Sequence, residues 1–373
     1  MHLIRPEKVL EVPLKFGVGG YVKIKRRDMR SGKVDLVREE KPNMLLGEYW
    51  NKIFTYGRTN LLGWGTNGLF SGGASSGYLG APFDTCHIGS GSTAPTFEGS
   101  HIETSLASSS SSTLTEKSEY GKLPAFIERL WVFPAGVGTG TINEVGLQGN
   151  TNIPESSARQ LVSPAIEKSE YHQIEVSWKI VVNVETVVTG TTVGGQRNGT
   201  TDIDWRLTMN ENQIAVLLGR TSAAPVSGAS SWGNVGNPFG LYFRISSNSG
   251  RPYTWCANSN AESVLATDSF DARKGTDIFA GSTDFAEATA YAANSLERTF
   301  RIGWDIENAN GNLCEVVGRT MSSTSTSSSF GGLFRIAFKE AGTAWGANVG
   351  LDKVDNFRLF LDFKVSIEDV NAT

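Results

Sequence analysis

Four histidines and three cysteines are the side chains that titrate nearest neutral pH, and their spacing indicates no catalytic centre. The histidines form no HxH, HxxxH or HExxH arrangement, and no serine lies in a GxSxG turn. The cysteines are far apart without a CxxC spacing, so neither a zinc site nor a disulfide framework is indicated. A Ser-His-Asp triad, whose members meet only in space, stays an alternative that no residue nominates. We predict no enzyme: no catalytic residue, no cofactor and no metal ligand. The seven residues are His2, His87, His101, His172, Cys86, Cys256 and Cys314.

Two pairs of acids alternate along predicted strands, Asp202 with Asp204 and Asp305 with Glu307. A glycosidase needs two carboxylates about 5 to 9.5 Å apart, which either pair could supply. Alternating acids on a strand are more often its solvated face, and Ile203 would then point to the core. We therefore rank a depolymerase as the least favoured function.

The composition favours turn-rich β structure. The chain has 373 residues, of which 42 are glycine and only 19% are charged, and its apolar fraction of 39% can fill a core. A net charge of −4 offers no basic field for nucleic acid. No apolar run approaches the roughly 18 residues that span a bilayer, and no signal peptide is recognisable, so we predict synthesis in the cytosol without membrane insertion.

Short strands separated by Gly/Ser/Asn/Pro clusters predict an all-β chain with two antiparallel β-sandwich-like modules and an N-terminal β-hairpin segment. The predicted domains are the hairpin segment 1–48, module 1 at 49–237 and module 2 at 238–373. A short helix is predicted at 44–54 and a helical turn or two at 284–293. Strands are predicted at 85–89, 127–133, 141–147, 171–188, 202–209, 240–246, 296–304, 312–319, 332–338 and 357–367.

A self-comparison indicates that the two modules share one plan. Glu144 lies in Ile-Asn-Glu-Val-Gly and Glu315 in Leu-Cys-Glu-Val-Val-Gly, each followed by an arginine on an apolar stretch, Arg159 and Arg335. Upstream, the Glu-Arg dipeptide that ends in Arg129 matches the one that ends in Arg298. Coincidence among generic β sequences is the alternative.

Several segments resemble structural tail proteins of tailed bacteriophages. Residues 83–96, with Gly-Ser-Gly-Ser-Thr-Ala-Pro, followed by Glu103-Thr-Ser-Leu-Ala, resemble a GxGxTAP…DTxLA stretch of that family, with Glu103 in place of Asp. Asn43-Met-Leu-Leu matches the family's NLL-type segment, 138–147 its GxxNEVGL element and 158–162 its sRAL element. The resemblance covers roughly residues 20–190 and implies a virion role without a reaction.

The leading hypothesis is a non-enzymatic structural subunit of a phage virion, in a tail, baseplate or fibre-attachment position. Its expected partners are other virion proteins and itself, as a trimer before a hexamer, assembled in the host cytoplasm. The alternative is a carbohydrate- or receptor-binding adhesin that contacts a host surface glycan through loop tryptophans. The candidate ligand-binding residues are Trp64, Trp232 and Trp255.

The N-terminal segment is the predicted attachment element. Residues 1–48 hold 11 Lys/Arg and 7 Asp/Glu, so this segment carries a net charge of +4 while the rest carries −8. Like charges across a hairpin repel, and an acidic neighbour would relieve them. We therefore expect residues 1–48 to dock, and their deletion to leave a folded remainder. The docking residues would be Val22, Ile24, Lys25, Arg26, Arg27, Arg30, Val34 and Leu36.

Overall fold

The predicted all-β fold class is confirmed. A computed structural model describes residues 7–47, 85–99, 101–117, 123–148, 156–192, 201–209, 253–257, 277–282, 284–290, 292–319, 332–345 and 350–369. The regular elements of these ranges are twenty β-strands. Within the same ranges, no helix is long and apolar enough to cross a membrane.

Residues 16–183 form the main part of one compact unit, here called the first module. Its strands follow the path β4-β3-β7-β8-β2-β1, and β1 also pairs with β9, which continues to β6 and β5. The pairs β1–β2, β2–β8, β3–β4, β3–β7, β5–β6, β6–β9 and β7–β8 are antiparallel. The strands are β1 (Glu7–Asp28), β2 (Lys33–Leu45), β3 (Thr85–Gly89), β4 (Ser105–Ser109), β5 (Ser112–Lys117), β6 (Ala125–Phe133), β7 (Gly140–Gln148), β8 (Ser156–Lys168) and β9 (His172–Val184).

The second module is the other compact unit, made of residues 184–290 and 297–366 together with 1–15. Its strands are β10 (Val187–Thr192), β11 (Ile203–Met209), β12 (Tyr253–Ala257), β13 (Asp277–Ser282), β14 (Phe285–Ala288), β15 (Glu297–Trp304), β16 (Gly311–Leu313), β17 (Glu315–Arg319), β18 (Gly332–Glu340), β19 (Leu351–Lys353) and β20 (Arg358–Asp369). They follow the path β13-β12-β17-β18-β11-β10, while β20 pairs with β15, β15 with β14, and β16 with β19.

This division differs from the predicted domains at 1–48, 49–237 and 238–373. Residues 20–45 are not a separate segment, because β2 pairs with β8 and β1 with β9 inside the first module. The second module begins near residue 184, because β10 and β11 extend its sheet through the pairing of β11 with β18. The predicted boundary at 237/238 lies outside the described residues.

The two modules use one strand plan in the same register. Glu144 lies opposite Leu161 and Gly146 opposite Arg159 in the pair β7–β8. In the pair β17–β18, Glu315 lies opposite Ala337 and Val317 opposite Arg335. In both modules the acid lies two positions before the residue that faces the arginine. This agrees with the match between the two stretches of sequence.

Irregular features repeat as well. The register between β3 and β4 shifts between Ile88 and Gly89, and the register between β12 and β13 shifts between Cys256 and Ala257. Both shifted residues face the buried acid, because Gly89 lies opposite Glu144 and Ala257 opposite Glu315. A bulge is a specific local device. Its recurrence at one position indicates common construction.

The turn after β6 recurs after β15. Val137 N–H donates to the Pro134 carbonyl (3.2 Å), and Asn308 N–H donates to the Asp305 carbonyl (3.1 Å). The next residues, Gly138 and Ala309, have φ of 64° and 58°. Because Val137 corresponds to Asn308, Arg129 corresponds to Phe300. Arg129 lies opposite Trp178 in the first module, and Phe300 lies opposite Phe363 in the second. The match of Arg129 with Arg298 is thus wrong by two residues, whereas Glu144 with Glu315 and Arg159 with Arg335 hold.

The core follows the period-2 alternation of the long strands. In β9 every second residue from Ile174 to Val184 is buried, and in β20 every second residue from Leu359 to Ile367 is buried. The largest fully buried rings are Trp131 and Trp178 in the first module and Trp304 in the second. Alternation of this kind directs one face of a strand to the core.

Two helical predictions do not hold where they can be compared. Residues 285–288, predicted as part of a helical turn, form strand β14, which pairs with β15. Residues 44–45 end strand β2, and the rest of the predicted helix from residue 48 lies outside the described residues, as does the predicted strand 240–246. Tertiary pairing overrides local periodicity in such short segments.

Candidate functional site

The segments that resemble phage tail proteins converge on one buried carboxylate, Glu144. It lies on β7 with none of its side chain exposed, and Arg159 on β8 donates from Nε to its Oε2 over 2.7 Å. The two residues meet diagonally because Arg159 lies opposite Gly146, two positions along β7. A Cβ on Gly146 would lie 2.6 Å from Ile102 Cδ1, so the glycine makes room for Ile102.

Glu144 also holds the loop between β3 and β4. Its Oε1 accepts the backbone N–H of Gly91 (3.0 Å) and of Thr104 (2.9 Å), and its Oε2 lies 3.3 Å from the N–H of Glu103. With Arg159, four donors thus surround one carboxylate, which is about the number of lone-pair sites it offers. The charge is buried but fully hydrogen-bonded.

Arg159 and Glu103 complete the clamp on the other side of the loop. Arg159 donates from Nη2 to the Thr93 carbonyl (3.0 Å) and lies 3.4 Å from Glu103 Oε2. Glu103 accepts the Thr93 N–H (2.9 Å) and hydroxyl (3.0 Å). We call Glu144, Arg159, Glu103 and Thr93 the loop clamp. It fixes both ends of the segment from Gly91 to Thr104.

This geometry explains Gly89 and Gly91, two glycines of the segment that resembles phage tail proteins. A Cβ on Gly91 would meet Glu103 Cβ and Glu144 Oε1 at distances that atoms do not tolerate. A Cβ on Gly89 would lie 2.6 Å from Glu144 Oε1 and 2.7 Å from the Thr104 carbonyl. The GxGxTAP pattern therefore lets backbone approach a buried carboxylate closely.

The contacts of the clamp stabilise the ionised form of Glu103. Hydrogen bonds from the Thr93 N–H and hydroxyl, with a smaller contribution from the Arg159 charge, lower the pKa of Glu103. A lowered pKa suits a structural anion rather than a general acid, whose pKa must be raised toward neutrality. The arrangement positions the two ends of the loop between β3 and β4.

The second module repeats the central ion pair. Arg335 Nε lies 3.3 Å from Glu315 Oε2, and both side chains are almost entirely buried. The neighbouring Cys314 is buried too, and burial raises the pKa of its thiol to about 11. A thiol with a raised pKa is an inert core residue.

The acid pairs considered for glycosidase chemistry are engaged elsewhere. Asp204 accepts from Lys339 Nζ (2.8 Å), and this bond lowers the pKa of Asp204. Asp305 lies in the turn after β15, not on a strand, and accepts from Arg358 Nε (3.1 Å). Among the described residues, no group of three or more His, Cys, Asp or Glu is arranged to hold a metal ion.

The predicted docking residues of the hairpin fall into two groups. Val22 and Ile24 are buried in their own module, so they are not available to a partner, contrary to the prediction. Val34 is exposed and Leu36 is half-buried. The hairpin itself is as predicted, with Asp28 opposite Lys33 and Gly32 at φ 69° in the turn.

The expected charge repulsion in the hairpin is largely relieved within the first module. Arg26 pairs with Asp35 at 3.0 Å, Arg27 with Glu175 at 3.2 Å and Arg30 with Asp28 at 2.8 Å. Lys23 lies 3.2 Å from Glu39. For these four cations the module itself supplies the acids, so their charge does not call for an acidic partner.

Of the three tryptophans predicted as loop ligands, one lies in the part of the chain that the structure describes. Trp64 and Trp232 lie outside the described residues. Trp255 is on strand β12, opposite Ala280 of β13 and Val317 of β17, rather than in a loop.

The loop clamp was missed by spacing rules because its members lie on β7, on β8 and in the loop between β3 and β4. The repeated Glu and Arg pair was the available signal, since both charges recur at equivalent positions. Comparison of the chain with protein-family models, curated proteins and solved structures gives no match.

Proposed function

We propose that the chain is a non-enzymatic structural subunit of a tailed-phage virion, in the tail, baseplate or fibre region. It acts by self-association and by docking to other virion proteins. One observation carries the proposal: the residues of the phage-like motifs build the loop clamp, in which Glu144, paired with Arg159, holds Gly91 and Thr104 at the two ends of the loop between β3 and β4. Rigid loops on a β scaffold are a common way to present contact residues.

The decisive experiment is cryo-electron microscopy of purified particles of the phage that carries this sequence, with mass spectrometry of the same particles. The proposal expects an ordered array of the chain, with the clamped loop or the module ends at contacts. Absence of the chain from the particles, together with its recovery from the soluble fraction of the lysate, would overturn the virion role.

A receptor-binding function is a second candidate, and one observation favours it. Lys168 follows Arg159 by nine residues, but Lys353 follows Arg335 by eighteen, so the second module has a longer connection there. That connection carries Trp345, whose ring centroid lies 4.5 Å from Arg206 and 5.2 Å from Lys339. An aromatic ring beside charged hydrogen-bond donors resembles the mixed lining of small-molecule sites, and we propose a glycan as its ligand.

A glycan array with the purified chain and Trp345→Ala tests this second function. Binding of a glycan that the variant loses would support an adhesin. Binding of no glycan, or unchanged binding by the variant, would leave the structural subunit as the sole proposal.

A further inference from the structure

Three turns lie at one end of the first module. The turn 134–139 joins β6 to β7, and the turn 169–171 joins β8 to β9. Lys168 Nζ links them, because it donates to the carbonyls of Pro134 (2.9 Å) and His172 (2.6 Å). The hairpin turn joins the same end, since Met29 N–H donates to the Tyr171 carbonyl (2.9 Å).

Each of these turns exposes a large apolar side chain. Met29 is 48% exposed, Val137 44% and Tyr171 45%. We call these three residues the end surface. Solvent exposure of a single apolar residue is ordinary, but three on adjoining turns of one module end form a contact candidate.

The second module provides an internal comparison, because it builds the same end with the same backbone. Lys353 Nζ donates to the Asp305 carbonyl (3.1 Å), as Lys168 does to Pro134. By register, Gly311 faces Lys353 as Gly140 faces Lys168.

The side chains at the equivalent turn positions are polar. Val137 corresponds to Asn308, which donates to both carboxylate oxygens of Asp284 at 2.9 Å, and Tyr171 corresponds to Asn356. The fold therefore does not require apolar residues at these positions.

The charges beside the end surface permit contact with another copy. Arg30, which lies 4.6 Å over the Tyr171 ring, is paired with Asp28, and Arg27 is paired with Glu175. Each cation thus has an acid of its own module. Two such surfaces can meet without the repulsion that unpaired like charges would cause.

We propose that the end surface, Met29, Val137 and Tyr171, packs against the same surface of other copies of this chain around the axis of a closed oligomer. This inference rests on the self-association in the proposed function and names the surface that carries it. Aromatic and apolar residues at the centre of a patch, with paired charges at its rim, are the usual anatomy of such an interface.

The test replaces the end surface by the residues of the second module. In sedimentation velocity, the double variant Val137→Asn, Tyr171→Asn should dissociate with a constant at least tenfold higher than the unmodified chain. Val187→Asn is the matched control, because Val187 is 44% exposed but lies on β10 of the second module. Circular dichroism must show the unmodified β spectrum in both variants.

A cysteine variant tests the geometry independently of affinity. In a chain that also carries Cys256→Ser, Val137→Cys should form a disulfide-linked dimer on mild oxidation, whereas Val187→Cys should not; the remaining native thiols, Cys86 and Cys314, are buried. An unchanged oligomer in the double variant, a monomeric unmodified chain, or no cross-link at position 137 would each overturn the inference. Presence of the chain in particles is scored separately, so either proposal can fail alone.

Discussion

Arg159 and Glu144 form an ion pair of 2.7 Å across the diagonal of β7 and β8, and Arg335 and Glu315 take the same diagonal across β17 and β18. Removing one partner of such a pair leaves a buried charge without compensation. We expect Arg159→Ala to lower the free energy of unfolding by about 3–5 kcal/mol in urea titrations. Lys23→Ala, at the exposed pair with Glu39, should cost less than about 1 kcal/mol. Similar losses in the two variants would contradict a role for the clamp in stability.

Glu103 should titrate below the ordinary range of glutamate, because Thr93 and then Arg159 favour its ionised form. The linked stability is fully present above the ordinary glutamate pKa and is lost as the pH falls through the lower pKa of the folded state. Carbon-13 NMR titration of the side chain measures this. Thr93→Val should move the pKa of Glu103 part of the way back, since only the hydroxyl is lost. An ordinary pKa in the unmodified chain would show that the clamp is open in solution.

Gly91→Ala should destabilise the first module by about 1–3 kcal/mol, because the new methyl group collides with Glu103 and Glu144. The control is Ser92→Ala, at an exposed neighbour in the same loop. Thermal unfolding of both variants gives the comparison. Equal melting temperatures would mean that the loop relaxes freely around the clamp.

Lys353 is entirely buried and donates to the carbonyls of Asp305 and Val354 and to Asn310 Oδ1. Lys353→Met keeps the volume but removes these bonds, so we expect a loss of about 1.5–3 kcal/mol in urea unfolding. Lys364→Met is the control, because Lys364 is half-exposed at its pair with Glu11. A stabilised Lys353→Met variant would show that desolvation of the ammonium outweighs its hydrogen bonds.

Deletion of residues 1–48 should unfold the first module rather than release it intact. It removes Val22 and Ile24 from the core and exposes the edges of β8 and β9 that β2 and β1 cover. We expect aggregation, or loss of the cooperative thermal transition followed by circular dichroism. A soluble truncated chain with the thermal transition of the unmodified chain would support the prediction that residues 1–48 are a separate attachment segment.

The alternation of apolar and polar residues predicted much of this fold. The spacing of titratable residues predicted little of the loop clamp. The alternation of Val22 and Ile24 with lysines, closed by Gly32, predicts the hairpin correctly. Strand β1 also extends back to Glu7, and every second residue from Leu10 to Val18 is buried. Pro13 weakens this strand pattern in the sequence, because proline is uncommon inside strands. Three of the four donors to Glu144 are backbone amides 40 to 53 residues away along the chain, and no spacing rule reaches that far.

The shared register of the two modules also bears on how the chain avoids misfolding. Tandem units with equivalent strands can exchange them during folding. At equivalent core positions the side chains differ in size, with Trp131 in place of Ile302 and Phe133 in place of Trp304. A β6 strand inserted into the second module would force an indole into the space of an isoleucine and leave a void beside it. Unequal volumes on identical backbones thus give each strand one best partner, and correct pairing is encoded in the cores themselves.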